Sequence, residues 1–359
     1  MSETGPPVVV VLAGGTPPRL DRIAAGTELR HVTEDGLAEA LPTADVLLVW
    51  DFLTDALPRV WPRTGGPRWV HTASAGVDRL MFPALVESDA LVTNSRGVFE
   101  QPIAEYVTGL VLAMAKDFPG TYDLQRSRTW QHRETMRVSG SRAVVVGAGP
   151  IGRAITRLLS ALGVRTALVG RTARDQDPEF GRVHGFGQLS GLLPDADWVV
   201  SAAPLTGQTA DMFDAATFGR MKQGARFINV GRGPLVVEAD LLAALRSGHL
   251  GGAALDVFRT EPLPPDSPHW DAPGLLVSPH MSADTYGWLD DLAEVFLDNL
   301  ERWTAGRPLR NTVNKKLGYV PVAEGAPGTE KPGSDKSDTE KPGTDKPSTE
   351  RPDTEKGMS

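Results

Sequence analysis

The sequence predicts an α/β protein built on doubly wound parallel sheets, and three observations point there. Short, nearly all-apolar runs of strand length recur along the chain, separated by stretches in which apolar residues follow helical spacing. One run, Arg142-Ala143-Val144-Val145-Val146, leads at once into Gly147-Ala148-Gly149-Pro150-Ile151-Gly152 and then an amphipathic segment from Arg153 to Leu162. Polar residues of catalytic type stand just past predicted strand ends, the edge at which open parallel sheets gather ligands.

The elements follow in order. Residues 8–13 read as a first strand, Val46 to Trp50 as a second, and Arg68 to His71 as a third that ends at the small-residue turn Ala73-Ser74-Ala75-Gly76. From Ile103 to Lys116 the spacing predicts a long helix, with Pro102 near its start, where proline is tolerated. Beyond the glycine segment, strands are expected at Thr166–Val169, Trp198–Val200, Arg226–Asn229, Gly252–Asp256 and Leu275–Val277.

Composition narrows the function classes. The chain has 359 residues, 40% hydrophobic and 23% charged, with a formal net charge of −8. No apolar run approaches the roughly 20 residues of a membrane-spanning helix. The first apolar run follows Ser2-Glu3-Thr4 rather than a basic segment, so no secretory signal is expected. The absence of cysteine excludes disulfides, iron–sulfur clusters, thiolate zinc and thiol catalysis. A cytoplasmic protein is expected, with no membrane partner. An acidic chain without a basic stripe is also not expected to bind nucleic acid. No HExxH or similar spacing suggests a metal site.

From Gly325 onward, a segment beginning Thr329-Glu330-Lys331-Pro332 recurs with a period of ten residues. After Val322 there is no Val, Leu, Ile, Phe, Tyr or Trp to bury. Residues 321–359 are therefore expected to be a disordered low-complexity tail.

The segment Gly147–Gly152 has the order and context of a dinucleotide-binding turn. Gly147 permits the tight turn, Gly149 lets the backbone approach a pyrophosphate, and Gly152 lets helix and strand pack closely. Pro150 and Ile151 stand between the last two of those glycines, and the helix that follows supplies free N–H groups and partial positive charge at its N-terminus. About 20 residues on, where an NAD-binding unit usually places an acid for the ribose 2′-OH, this chain has Gly170, then Arg171-Thr172-Ala173-Arg174. Arg171, Thr172 and Arg174 are suited to a 2′-phosphate, which favours NADP with NAD possible. The same loop also reads as a solvated basic turn with little preference.

Arg232, Glu261 and His280 each follow a predicted strand. A cation, an acid and an imidazole gathered at one edge can bind a carboxylate, orient a histidine and move a proton.

These residues carry a resemblance. Ala73-Ser74-Ala75-Gly76-Val77-Asp78, Thr93-Asn94-Ser95-Arg96-Gly97, Ala104-Glu105-Tyr106 and the glycine segment come first. Ala203-Pro204-Leu205-Thr206, Asn229 to Gly233, Ala254 to Pro262 and Ser278-Pro279-His280 follow. In order and spacing the set resembles the D-isomer-specific 2-hydroxyacid dehydrogenases, glyoxylate/hydroxypyruvate reductases among them, over roughly residues 45–316.

The resemblance implies a catalytic trio of Arg232, Glu261 and His280. The arginine would anchor the substrate carboxylate and carbonyl, the histidine exchange the proton and the glutamate orient the histidine. It implies cofactor contacts from Ala203, Pro204, Leu205, Val230, Gly231, Asp256 and Ser282, with Asp256 at the nicotinamide end. Ser74, Ala75 and Gly76 would hold the carboxylate through backbone N–H groups. Trp50 and Phe52 are candidates for the substrate side-chain pocket and equally for core.

It further implies a Rossmann cofactor domain, residues 101–282, inserted into a flavodoxin-like substrate domain made of residues 1–100 and 283–320. A helix from Asp284 to Thr304 would carry the chain back. The implied partners are a 2-keto or 2-hydroxy acid and a second copy of the chain in a homodimer, to which the helix at 103–116 would contribute. After His280 the sequence Met281-Ser282-Ala283-Asp284 lacks the glycine that the family often has there. The expected activity is NADPH-dependent reduction of a 2-keto acid. NAD-linked oxidation of a hydroxy acid, or non-enzymatic dinucleotide sensing on the same fold, are the alternatives.

Overall fold

Apolar runs buried on both faces form the strands of two sheets in a computed structural model that describes residues 6–321. The first sheet holds β1 (Val8–Leu12), β2 (Glu28–Val32), β3 (Val46–Val49), β4 (Trp69–Thr72) and β5 (Leu91–Asn94), in the order β2-β1-β3-β4-β5. Every pairing in it is parallel. The second holds β6 (Arg142–Val146), β7 (Arg165–Gly170), β8 (Arg174–Asp177), β9 (Gly181–Gly185), β10 (Trp198–Ser201), β11 (Arg226–Asn229), β12 (Gly252–Leu255) and β13 (Leu275–Val277). Its order is β13-β12-β11-β10-β6-β7-β9-β8, parallel except for the β8–β9 hairpin at one edge. Both sheets are doubly wound, with the flavodoxin-like order in the first.

Alternation along each strand feeds a core on either face. Val10, Leu12, Leu47 and Val49 enter one core of the first sheet, and Val9, Val11, Val46 and Leu48 the other. In the second sheet Val144, Val146 and Val199 face one way, while Ala143, Val145 and Val200 face the other.

Two helices tie these cores together. The helix Glu100–Ala115 buries Ile103, Val107, Val111 and Ala115, four residues apart and so on one stripe, against the second sheet. The helix Trp288–Thr304 buries Leu292 in that same core, but Phe296 and Leu300 one and two turns later in the core of the first sheet. Phe296 stacks on Trp69 with ring centroids 5.4 Å apart. Burying such a ring stabilises by roughly 1.5–3 kcal/mol. The chain then pairs Thr312 with Thr93 and seats Val313 among the first-sheet apolar residues.

Several expectations shift. The glycine-rich segment itself starts a helix, Pro150–Ala161, with Gly149 as its cap and Pro150 in the first turn. The return helix begins at Trp288 rather than Asp284, because Gly287 precedes it in the left-handed conformation (φ 86°) and residues up to it form turns. Strands β2, β5, β8 and β9 were not expected from the pattern. β2 and β8 are edge strands rich in polar side chains, β9 has glycine at both ends, and β5 ends Thr93-Asn94. The expected tail lies outside the described residues, apart from residue 321.

Candidate active site

The site grows from the carboxyl ends of the second sheet. Chain order reverses between β6 and β10, the switch point at which ligands bind in open α/β sheets. Gly147 leaves β6 there with φ +124°, and a Cβ on it would stand 2.4 Å from the Ala202 carbonyl oxygen at the end of β10. A Cβ on Gly152 would stand 1.7 Å from the Gly147 oxygen. These two glycines are demanded by the fold. Gly149 is not: its φ is an ordinary −77° and a Cβ would meet no protein atom within 4 Å. A glycine that the protein does not need, at a helix N-terminus on the switch point, fits close approach by a phosphate-bearing ligand.

Ala203 is buried, Pro204 exposed and Leu205 half-buried just after β10. Val230 and Gly231 are buried after β11, and Ile151 packs partly buried against the core of the second sheet.

At the end of β7, Gly170 occupies the position at which an acid would hold a ribose. A Cβ there would lie 2.9 Å from the Ala148 Cβ and 3.3 Å from Val183. No carboxylate side chain fits without movement of the glycine-rich turn. Arg171, Thr172 and Arg174 are exposed beside it. Arg174, on β8, lies 3.8 Å from Asp177. Asp177 is buried against Arg153 of the Pro150–Ala161 helix, whose hydrogen bond holds the carboxyl down to about 2. That pair fastens the hairpin to the first turns of the helix.

Arg232 is threaded between two backbone segments. Gly231 lies close enough to Ala203 that a Cβ would be 2.9 Å from its oxygen, and a Cβ on Gly233 would lie 1.9 Å from the Phe258 carbonyl carbon. The guanidinium is thereby aimed across the cleft at the first sheet. Nε donates to Asp78 Oδ1 at 3.0 Å and Nη1 to the Gly231 oxygen at 2.9 Å. Nη2 fills the place in which a Cβ on Gly76 would sit, 1.7 Å away. Asp78, within the quoted Ala73–Asp78 motif, was not singled out from sequence. Beside it, Ser74 Oγ donates to the Gly76 oxygen at 2.6 Å and Asn94 Nδ2 to the Ala75 oxygen at 2.6 Å, which fixes the turn.

His280 follows β13 with φ +53°, a left-handed conformation that is costly for a non-glycine residue. Asp256 holds the strained turn in place. It is buried at the end of β12, and its carboxylate accepts from Ser278 Oγ (2.7 Å), Met281 N (2.9 Å) and Ser282 N (3.0 Å). Its own carbonyl accepts from His280 N at 2.8 Å. All three donors to the carboxylate come from residues 278–282. His280 Nδ1 meets Glu261 Oε2 at 2.8 Å, and Glu261 Oε1 accepts from Phe258 N at 2.8 Å. Burial pushes the Glu261 carboxyl up. Its hydrogen bonds from His280 and Phe258 and the charges of His280 and Arg232 outweigh burial and keep it below the usual carboxylate range. An ionised acceptor requires the proton on Nδ1, which leaves Nε2 as the nitrogen not engaged by Glu261.

Arg232, Glu261 and His280 thus line one cavity of about 230 Å³ between the two sheets, with Ser74, Gly76 and Phe52 on the facing wall. Ala75 and Trp50 are not among its lining residues. Trp50 packs instead, half-buried, against apolar cores of both sheets. Leu53, Val77, Leu205 and Phe258 add apolar wall. Among the described residues no group of three or more His, Asp or Glu is placed to hold a metal ion.

Residues 108–282 match the family described as D-isomer specific 2-hydroxyacid dehydrogenase, NAD binding domain. A glyoxylate/hydroxypyruvate reductase B of Citrobacter koseri is 31% identical over 303 residues, which cover 80% of this chain and 90% of the relative. The chain belongs to the D-isomer-specific 2-hydroxyacid dehydrogenase family. Solved structures of such dehydrogenases are similar throughout the body. One, from Xanthobacter autotrophicus Py2 in complex with NADPH and MES, is 31% identical with a TM-score of 0.73, covering 87% of this chain and 100% of that one. Another is the NADPH-dependent glyoxylate/hydroxypyruvate reductase of Sinorhizobium meliloti in complex with NADP and sulfate. It is 28% identical with a TM-score of 0.75 and the same coverage. The dehydrogenase is therefore similar in fold to these relatives over nearly all of their length.

Proposed function

We propose that the dehydrogenase reduces a 2-keto acid to the D-2-hydroxy acid with NADPH as its preferred cofactor. The observation that carries this reading is the convergence of Arg232 and His280 on one cavity, beside a glycine-rich turn at the switch point. Arg232 Nη2 and the backbone N–H groups of the Ser74–Gly76 turn bind the substrate carboxylate. His280 Nε2 hydrogen-bonds the keto oxygen and gives it a proton, while Glu261 keeps the ring oriented and supports its charge. NADPH, when bound, supplies the hydride that completes the reduction at the carbonyl carbon. Gly149 would admit the pyrophosphate on a turn that Gly147 and Gly152 make possible, and residues 203–205, Val230, Gly231 and Ser282 would border the cofactor. Asp256 acts at the nicotinamide end by holding the turn that carries His280.

The cofactor preference rests on position 170. A Cβ at that position is crowded by the side chains of Ala148 and Val183, which disfavours the acid that would repel a 2′-phosphate, and Arg171, Thr172 and Arg174 follow it as exposed residues suited to bind one. The two solved relatives are complexes with NADPH and with NADP, in keeping with this preference.

Phe118, Tyr122 and Trp130 are exposed just past the helix Glu100–Ala115. They support the reading that this region forms a homodimer interface, which light scattering of the purified protein measures. No helix among the described residues is long and apolar enough to cross a membrane.

The test is the initial rate of NADPH and NADH oxidation with glyoxylate, hydroxypyruvate, pyruvate and phenylpyruvate. Faster turnover per micromolar NADPH than NADH supports the assignment, and the panel ranks the substrates. A preference for NADH contradicts the reading of Gly170 and Arg171.

A further inference from the structure

Arg171 has an unexpected neighbour. Among the described residues it makes no ion pair, and its guanidinium lies over the ring of Tyr319, 5.5 Å from the ring centroid. The two residues belong to different halves of the body, since Arg171 follows β7 of the second sheet whereas Tyr319 comes near the end of the described chain.

Tyr319 is carried on a turn that is pinned to the first sheet. Val313 donates its N–H to the Val92 oxygen at 2.8 Å and is buried in the first-sheet core. Asn314 N donates to the Tyr319 oxygen at 3.0 Å, and Gly318 N donates back to the Asn314 oxygen at 2.9 Å, closing the turn. The Asn314 side chain accepts from the N–H groups of Lys316 and Leu317, both at 3.1 Å. Val320 packs against the same core. The backbone that carries the ring is therefore fixed to the first sheet, and the ring meets Arg171.

We infer that Tyr319 is a positioning residue for cofactor 2′-phosphate recognition. An exposed arginine at the tip of a strand loses much side-chain freedom when it grips a phosphate. A ring against the face of the guanidinium removes part of that freedom beforehand, leaving the planar N–H edge free to donate to phosphate oxygens. The contact favours a ligand bearing a 2′-phosphate over one with a bare ribose, because only the former uses Arg171. It also attaches the segment that closes the first sheet to the adenosine end of the cofactor cleft. The inference rests on the assignment of Arg171 to the 2′-phosphate.

Calorimetric titration of the full chain with adenosine 2′,5′-bisphosphate and with adenosine 5′-monophosphate tests it without turnover. The wild type binds the bisphosphate more tightly, and Arg171→Ala narrows the difference, with Thr172 and Arg174 still present. Tyr319→Ala weakens the bisphosphate by about two- to fivefold, the scale of an exposed cation–π contact, and leaves the monophosphate unchanged. Tyr319→Phe keeps the stacking ring and retains wild-type affinity for both, so a folding defect in the alanine variant does not leave the question open. Equal weakening of both ligands by Tyr319→Ala, no weakening of either, or a phenylalanine variant as weak as alanine would each overturn the inference. A wild type that does not distinguish the ligands removes the NADP assignment and this inference together. A preference that depends on Arg171 but not Tyr319 removes the inference alone.

Discussion

Arg232 and Asp78 form an ion pair across the cleft, Nε to Oδ1 at 3.0 Å, although 154 residues separate them in the chain. The pair joins the end of β11 to the turn after β4. It commits one edge of the guanidinium to the protein and points Nη2 into the space that Gly76 leaves open. In the proposed reaction a substrate carboxylate would meet an arginine whose orientation is already set.

Asp78→Asn keeps the shape and removes the charge. A hydrogen bond to a charged group contributes about 1.5–3 kcal/mol, so kcat/KM for the keto acid should fall about ten- to a hundredfold while NADPH affinity stays within twofold. Gly76→Ala puts a methyl group onto Nη2 and should lower kcat/KM at least as far. Steady-state kinetics with separate cofactor titration checks both, and an Asp78→Asn variant with wild-type kcat/KM contradicts the role given to the pair.

The glycine-rich turn separates a requirement of folding from a requirement of binding. Gly152→Ala forces a Cβ against the Gly147 carbonyl, and overpacking of this kind costs about 1–3 kcal/mol. Gly149→Ala meets no protein atom. It should leave the urea midpoint unchanged yet weaken the dinucleotide by about tenfold, or about 1.4 kcal/mol. Urea denaturation and cofactor titration of the two variants distinguish the roles, and intact cofactor affinity in Gly149→Ala contradicts the placement of the pyrophosphate.

Stability should carry a proton-linked slope from His71. The ring is fully buried on β4 between Thr93 Oγ1 (2.8 Å) and Ser95 Oγ (3.2 Å), and burial lowers its pKa to about 3. The unfolded chain, with an ordinary histidine value of about 6.5, takes up a proton that the fold refuses. Stability from this group is complete above that value and is lost as pH falls from it toward 3, at about 1.4 kcal/mol per pH unit. Urea unfolding between pH 6 and 5 should show about one proton more uptake for the wild type than for His71→Gln. Equal slopes would show that the buried ring is not the linked group.

The sequence revealed most clearly what repetition enforces. Strands such as β6 and β10 are continuous apolar runs because both faces are covered, and that pattern needs no tertiary knowledge. β8 has no such signal: Arg174-Asp175-Gln176-Asp177 is all polar. It becomes a strand only through its pairing with β9 and the grip of Arg153 on Asp177. The glycine-rich turn and the three residues after strand ends were legible because each has local context. Asp78 was not, since no local pattern links it to Arg232; its place inside the quoted Ala73–Asp78 motif was the available signal. Asp256 was read as a neighbour of the nicotinamide, and only the structure reveals that its carboxylate is engaged by the turn that bears His280. At Trp50 and Phe52 the sequence left core and pocket open; both pack half-buried against the core of the second sheet, and of the two only Phe52 also lines the cavity.

In the proposed reaction His280, oriented by Glu261, is the proton donor to the keto oxygen. The most direct measurement is kcat at saturating NADPH and keto acid for the wild type and His280→Ala, with NADPH affinity measured on both by titration. General acid catalysis contributes about 10²–10⁴-fold, so kcat should fall by that factor while NADPH affinity stays within twofold. A His280→Ala enzyme that binds NADPH and keeps wild-type kcat would show that His280 is not the donor.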